Sequence, residues 1–119
     1  MRAPKKPNQN ISPKDLQKQK IADFERRLTM DVGALLVLLS EGTSEQMALI
    51  RQRTKSDLLK FGPDMQKIAD EMGGRLPKVV GEYLDSVDSI VHSASGWIDE
   101  AKITRCYAMT QKLQKELHL

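Results

Sequence analysis

The sequence predicts an all-α protein, an elongated helical hairpin or coiled coil of two to four helices preceded by a disordered basic N-terminus. Apolar residues recur at steps of three and four through most of the 119 residues. Two capping signatures mark helix starts. Hydrophobic residues make up 39% of the chain and aromatic ones only 4%, so Leu, Ile, Val, Met and Ala form the apolar surface. That selection suits narrow helix–helix seams better than a thick globular core.

Residues 1–11 contain Pro4, Pro7, Asn8 and Asn10 with no apolar periodicity before Ile11, and read as a disordered basic leader. Residues 12–119 form the helical coiled-coil domain. Ser12 is the expected N-cap of the first helix, with Pro13 at the first helical position and Asp15 in the first turn. Ile21, Phe24, Leu28, Val32, Leu35 and Leu39 make one stripe, which Leu36 and Leu38 widen toward the C-terminal end. This end is expected to touch more than one neighbour, and Gly42 stops the helix.

Thr43, with Gln46 three residues on, fits a capping box that opens the second helix. Its stripe runs Met47, Ile50, Thr54, Leu58, Phe61, Met65, Ile68, Met72, Leu76, Val80. Gly62-Pro63 and Gly73-Gly74 interrupt it, and either pair kinks the helix or breaks it. Two glycines cost about 2 kcal/mol relative to alanine. Neither pair shifts the phase of the stripe. From Val80 through Tyr83, Val87, Ile90, Ala94, Trp97, Ala101 and Thr104 to Ala108 the steps alternate three and four, the heptad signature of a coiled-coil seam. After Ala108 the register slips, and Cys106, Met109 or Thr110, Leu113 and Leu117 take over as an apolar edge.

These positions give the expected partner-helix interface: Val80, Tyr83, Val87, Ile90, Ala94, Trp97, Ala101 and Thr104, with Leu28, Leu35 and Leu39 from the first helix. Trp97, between the small Ala94 and Ala101, is either a knob received by a partner helix or packed against the Leu-rich end of the first helix.

Charge divides unevenly. The net charge is +3, yet residues 1–20 hold Arg2, Lys5, Lys6, Lys14, Lys18 and Lys20 against Asp15 alone, so the body is near neutral. The leader reads as a solubilising end, a membrane-surface or partner-binding tail, or a nucleic-acid arm. No interleaved aromatic residues accompany it and no basic face continues it, which disfavours the last. The longest apolar run, Val32 to Leu39, is too short to span a membrane. Arg2, Lys5 and Lys6 have no apolar stretch behind them, so no secretory signal is read. A single cysteine, Cys106, excludes an internal disulfide and suits a reducing compartment, cytoplasm or nucleus.

Nothing in the pattern calls for catalysis, a cofactor or a metal. Asp70-Glu71, Asp85 with Asp88, and Asp99-Glu100 read as solvated helix surface, because acid–base chemistry needs a pocket that perturbs carboxylates. Gly73-Gly74 lacks the following Lys-Ser/Thr of a phosphate loop. His92 has Asp88 four residues back, one surface pair. His118 lies in a fraying terminus, and Cys106 reads as a partly buried structural thiol.

The segment Thr43-Ser-Glu-Gln-Met-Ala-Leu-Ile-Arg-Gln-Arg-Thr-Lys-Ser-Asp-Leu-Leu-Lys-Phe61 resembles the start of the second helix in the subunit 2 family of the biogenesis of lysosome-related organelles complex. Tyr83-Leu84-Asp85, with Val87, Ile90, Ala94, Trp97, Ala101 and Tyr107 on an ungapped spacing, is similar to that family's C-terminal coiled coil. The resemblance spans roughly residues 28–117, departing from the family at Gly62-Pro63, Gly73-Gly74 and the basic leader. It implies a non-catalytic scaffold subunit of a cytosolic hetero-oligomer, partnered by other small coiled-coil subunits and peripheral to endosomes and lysosomes. The alternative is a nuclear or kinetochore-type nucleic-acid-associated adaptor using the basic tail.

Overall fold

The computed structural model describes residues 12–92 and 98–118; the leader and the segment containing Ala94 and Trp97 lie outside the described residues. Four helices account for nearly all of them: α1 (Pro13–Glu41), α2 (Ser44–Met72), α3 (Leu76–Val91) and α4 (Glu100–Leu117).

The predicted caps form. Ser12 Oγ accepts from the Asp15 amide at 3.1 Å, and Pro13 occupies the first turn, where its missing donor costs nothing. Thr43 Oγ1 accepts from the Gln46 amide at 3.1 Å while Gln46 Oε1 accepts from the Thr43 amide at 2.9 Å. Between these helices the chain turns at Gly42. Its φ of −94° is open to any residue, but a Cβ there would come within 2.8 Å of the Leu38 Cβ, so close approach demands the glycine. Asp99, the N-cap of α4, accepts from the Ala101 amide at 2.9 Å.

The two glycine sites behave differently. At Gly62-Pro63 the helix continues, because Pro63 points to solvent and the hydrogen bond it cannot donate is lost on the wet side. At Gly73-Gly74 it breaks. Both residues have positive φ, 72° and 65°, a conformation that costs other residues about 1 kcal/mol or more. Pro77 then falls in the first turn of α3.

Sequence neighbours pack against one another, and α4 returns to α1, closing a four-helix bundle. The all-α expectation of two to four helices holds, with the helices packed as a bundle of adjacent neighbours. The helix breaks at residues 73–74, α3 ends at Val91 and α4 starts at Glu100, and α3 packs against both α2 and α4, so the expected long seam is divided among three packed helices. Its core contains Ile21, Leu28, Val32 and Leu35 of α1, Met65 and Ala69 of α2, Leu76, Val80, Tyr83, Val87 and Ile90 of α3, and Ile103, Cys106, Leu113 and Leu117 of α4. Met47, Ile50, Leu58, Ile68, Met72, Phe24 and Leu39 line its edge, half-buried.

One buried polar chain ties three helices together. Tyr83 Oη donates to the Glu25 carbonyl at 3.1 Å and pairs with Thr29 Oγ1 at 2.8 Å, which lies 3.3 Å from Thr110 Oγ1. Burial pushes the Tyr83 hydroxyl far above the usual phenol range, so it remains a neutral donor. Gln114 Nε2 donates to the buried Glu25 carboxylate at 3.1 Å. At the rim, Lys112 meets Glu82 at 2.8 Å, Arg75 meets Glu116 at 3.5 Å, and Arg51 Nε donates to the Val91 carbonyl at 2.9 Å.

Candidate interaction surface

The residues expected to face a partner helix scatter in this fold. Val80, Tyr83, Val87 and Ile90, with Leu28 and Leu35, are fully buried by the chain's own helices. Leu39 is half-buried, and Ala101 and Thr104 are exposed. Ala94 and Trp97 lie outside the described residues. α4 buries Cys106, Thr110, Leu113 and Leu117, the apolar edge expected after the register slip, and adds Ile103, whereas the seam positions Ala101 and Thr104 stay outside. So, among the described residues, these positions do not form one outward face.

A different set does. Met30, Val37 and Leu49 are 68%, 57% and 70% exposed. Met30, Ala34 and Val37 follow steps of four and three along α1, on the face opposite Leu28, Val32 and Leu35. The sequence reading missed this set, because the stronger core stripe of α1 drew the periodicity; the steps of four and three from Met30 were the signal that could have found it. Beside it, a shallow groove of about 410 Å³ is lined by Ala34, Val37, Leu38, Gln46, Leu49 and Ile50. It lies between α1 and α2, near their connecting turn. The chain crosses from one helix to the other at Gly42-Thr43, so Val37 and Leu49 meet across the hairpin.

Lower on the hairpin the surface changes character. Phe24 and Phe61 stack with centroids 5.3 Å apart, and Arg27 and Lys60 each sit 5.4 Å from the Phe61 ring. Between this cluster and the groove lies Asp31, with a side chain only 6% exposed. Its Oδ1 accepts from Arg53 Nε at 3.1 Å, but its Oδ2 is buried with no hydrogen-bond partner. Burial, with the Asp57 carboxylate beside it, raises the Asp31 carboxyl to about 6, and Arg53 only partly offsets this. No apolar-pattern argument anticipates this residue, because a carboxylate on the flank of a stripe reads as solvated.

The remaining polar candidates are quiet. His92 Nδ1 lies 2.9 Å from exposed Asp88, the expected surface pair. Asp70, Glu71, Asp85, Asp99 and Glu100 are exposed. Cys106 is buried, and burial raises its thiol. Among the described residues no three metal-ligating side chains converge, and no helix is long and apolar enough to cross a membrane.

No protein-family model, curated protein or solved structure matches the chain.

Proposed function

We propose that this protein is a non-catalytic helical adaptor, a subunit of a larger hetero-oligomer that meets partner helices on the outer face of the α1–α2 hairpin. The supporting observation is the exposure of Val37 and Leu49 on a groove with an almost wholly apolar lining, with Met30 exposed two turns before Val37 on α1. Contiguous apolar surface of this kind is costly to leave in water and marks interaction sites. An amphipathic helix laid along α1 and α2 would cover it, with anchors at helical spacing. Assignment to endosome or lysosome biogenesis, trafficking or positioning is the finer part of the proposal. It rests on the resemblance carried by Thr43–Phe61 and Tyr83–Tyr107.

Affinity purification of the full chain from its native cells tests both levels. The expected result is a stoichiometric set of small helical subunits with the unsubstituted chain, lost with Val37→Asp plus Leu49→Asp. Retention of the same partners by that variant would sink the interface reading. Partners unconnected with endosomes or lysosomes would sink the finer assignment alone. The nuclear reading predicts salt-dependent nucleic-acid binding that vanishes when residues 2–20 are deleted.

A further inference from the structure

We propose that Asp31 of α1 and Asp57 of α2 share one proton across the hairpin, forming a clasp that grips while the proton is held and lets the two helices part locally when it is lost. Such a clasp acts in the isolated chain, whatever covers the groove beside it.

The polar groups between α1 and α2 do not balance without that proton. The two oxygens of buried Asp31 are served unequally. Oδ1 accepts from Arg53 Nε at 3.1 Å, whereas Oδ2 is out of reach of solvent and has no hydrogen-bond partner. Leaving a buried acceptor unpaired costs free energy. Its neighbour is a second carboxylate, Asp57, one turn beyond Arg53 on the same face of α2. Two carboxylates therefore meet one guanidinium, and the Arg53 side chain is 56% exposed, where water screens its charge. A proton on Asp31 Oδ2 removes both faults. The orphan acceptor becomes a donor, the Asp57 carboxylate becomes its acceptor, and a single negative charge remains for Arg53.

The other titratable groups around this part of α1 leave that balance unchanged. Arg27, one turn before Asp31, sits 5.4 Å from the Phe61 ring, and the Glu25 carboxylate accepts from Gln114. α3 brings Tyr83, and α4 brings Cys106 and Tyr107. Burial raises all three above their ordinary values, so they stay neutral through the range that matters. Asp57 is only half-buried and gives the proton its route to water. Above about pH 6 the Asp31 proton leaves, and the two carboxylates repel across the hairpin. Ala34 lies one turn after Asp31 and Ile50 one turn before Arg53. Both line the apolar groove, so its walls move with the same step.

Carboxyl-carbon NMR of the full chain, titrated from about pH 4 to pH 8, follows the proton. Asp31 and Asp57 should shift together in a step near about pH 6 and again in a lower one, the mark of a coupled pair. Asp57→Asn should weaken the proton affinity of Asp31 at least about tenfold. An Asp31 midpoint unmoved by that substitution, or an Asp57 signal silent in the upper step, overturns the shared proton. Amide exchange follows the clasp. Protection over residues 30–34 and 50–54 should fall about tenfold between pH 5 and pH 7.5, and stay level in Asp31→Asn, whose helicity by circular dichroism matches the parent. These amides should also exchange ahead of those from Val80 to Ile90, because the opening is local. Protection indifferent to pH in the parent, an equal fall in Asp31→Asn, or exchange only in step with α3 overturns the clasp.

Discussion

α2 and α3 carry parts of one apolar stripe in the sequence, yet the bundle uses them in opposite ways. α3 buries eight of its sixteen residues, including Leu76, Val79, Val80, Tyr83, Val87 and Ile90, and so serves as the central staple. α2 buries four of its twenty-nine, Thr54, Gly62, Met65 and Ala69, and leaves Leu49 and Leu59 in solvent. The difference teaches that a long apolar line does not by itself mark an interface. What matters is which part the chain's own turns allow it to cover.

The comparison breaks most sharply at Ile90. Ile90→Asp puts a charge among fully buried apolar side chains and should cost more than about 4 kcal/mol, leaving the chain unfolded in chemical denaturation. Leu49→Asp, on the exposed face of α2, should shift the same midpoint by less than about 0.5 kcal/mol.

Asp31 gives the next largest effect, as a pH dependence. Its carboxyl is raised in the folded chain from an ordinary 3.8 to about 6, so folding favours the protonated form. Its contribution is therefore fully present below about 3.8 and is lost as pH climbs through about 6. Asp31→Asn keeps an oxygen for Arg53 and removes the charge beside Asp57. At pH 7.5 the variant should be more stable than the parent by roughly 1–3 kcal/mol. Urea midpoints at pH 4 and pH 7.5 check it; a parent midpoint that rises between those values relative to the variant would contradict the assignment.

Smaller effects separate the two glycine sites of α2. Gly73→Ala forces a side chain onto a backbone with φ 72° and ψ −157°, a region kept essentially to glycine, and should destabilise by about 1–3 kcal/mol. Gly62→Ala places its methyl 3.6 Å from Leu58 and 3.7 Å from Leu84, ordinary contact distances, and should stabilise by about 0.5–1 kcal/mol. Thermal melts of the two variants should move in opposite directions.

Local signals in the sequence were legible wherever one turn of chain decides the structure. Ser12-Pro13, the Thr43–Gln46 box and Gly42 sit where their side chains or their lack of one demand. The core stripe of α1 was readable for the same reason, since residues three and four apart share a face. The tertiary choice was not readable. The heptad spacing is the same whether one helix runs on or two helices pack side by side, and only the packing of α3 against α4 decides that Ile90 is buried and Thr104 faces water. Likewise, the Tyr83–Thr29–Thr110 chain joins residues 54 and 81 positions apart, a meeting no local pattern encodes. Of the candidate surface, Met30 and Val37 were not singled out in the sequence, because their exposure depends on how α2 and α4 flank α1.

Native-state hydrogen exchange on the isolated full chain tests the central claim most directly. If α3 is sealed by the protein's own helices, the amides from Val80 to Ile90 should exchange only through global unfolding, as slowly as any in the molecule. Rapid exchange across that segment, with α1 and α2 still protected, would mean that α3 stands open to receive another helix, contrary to this account.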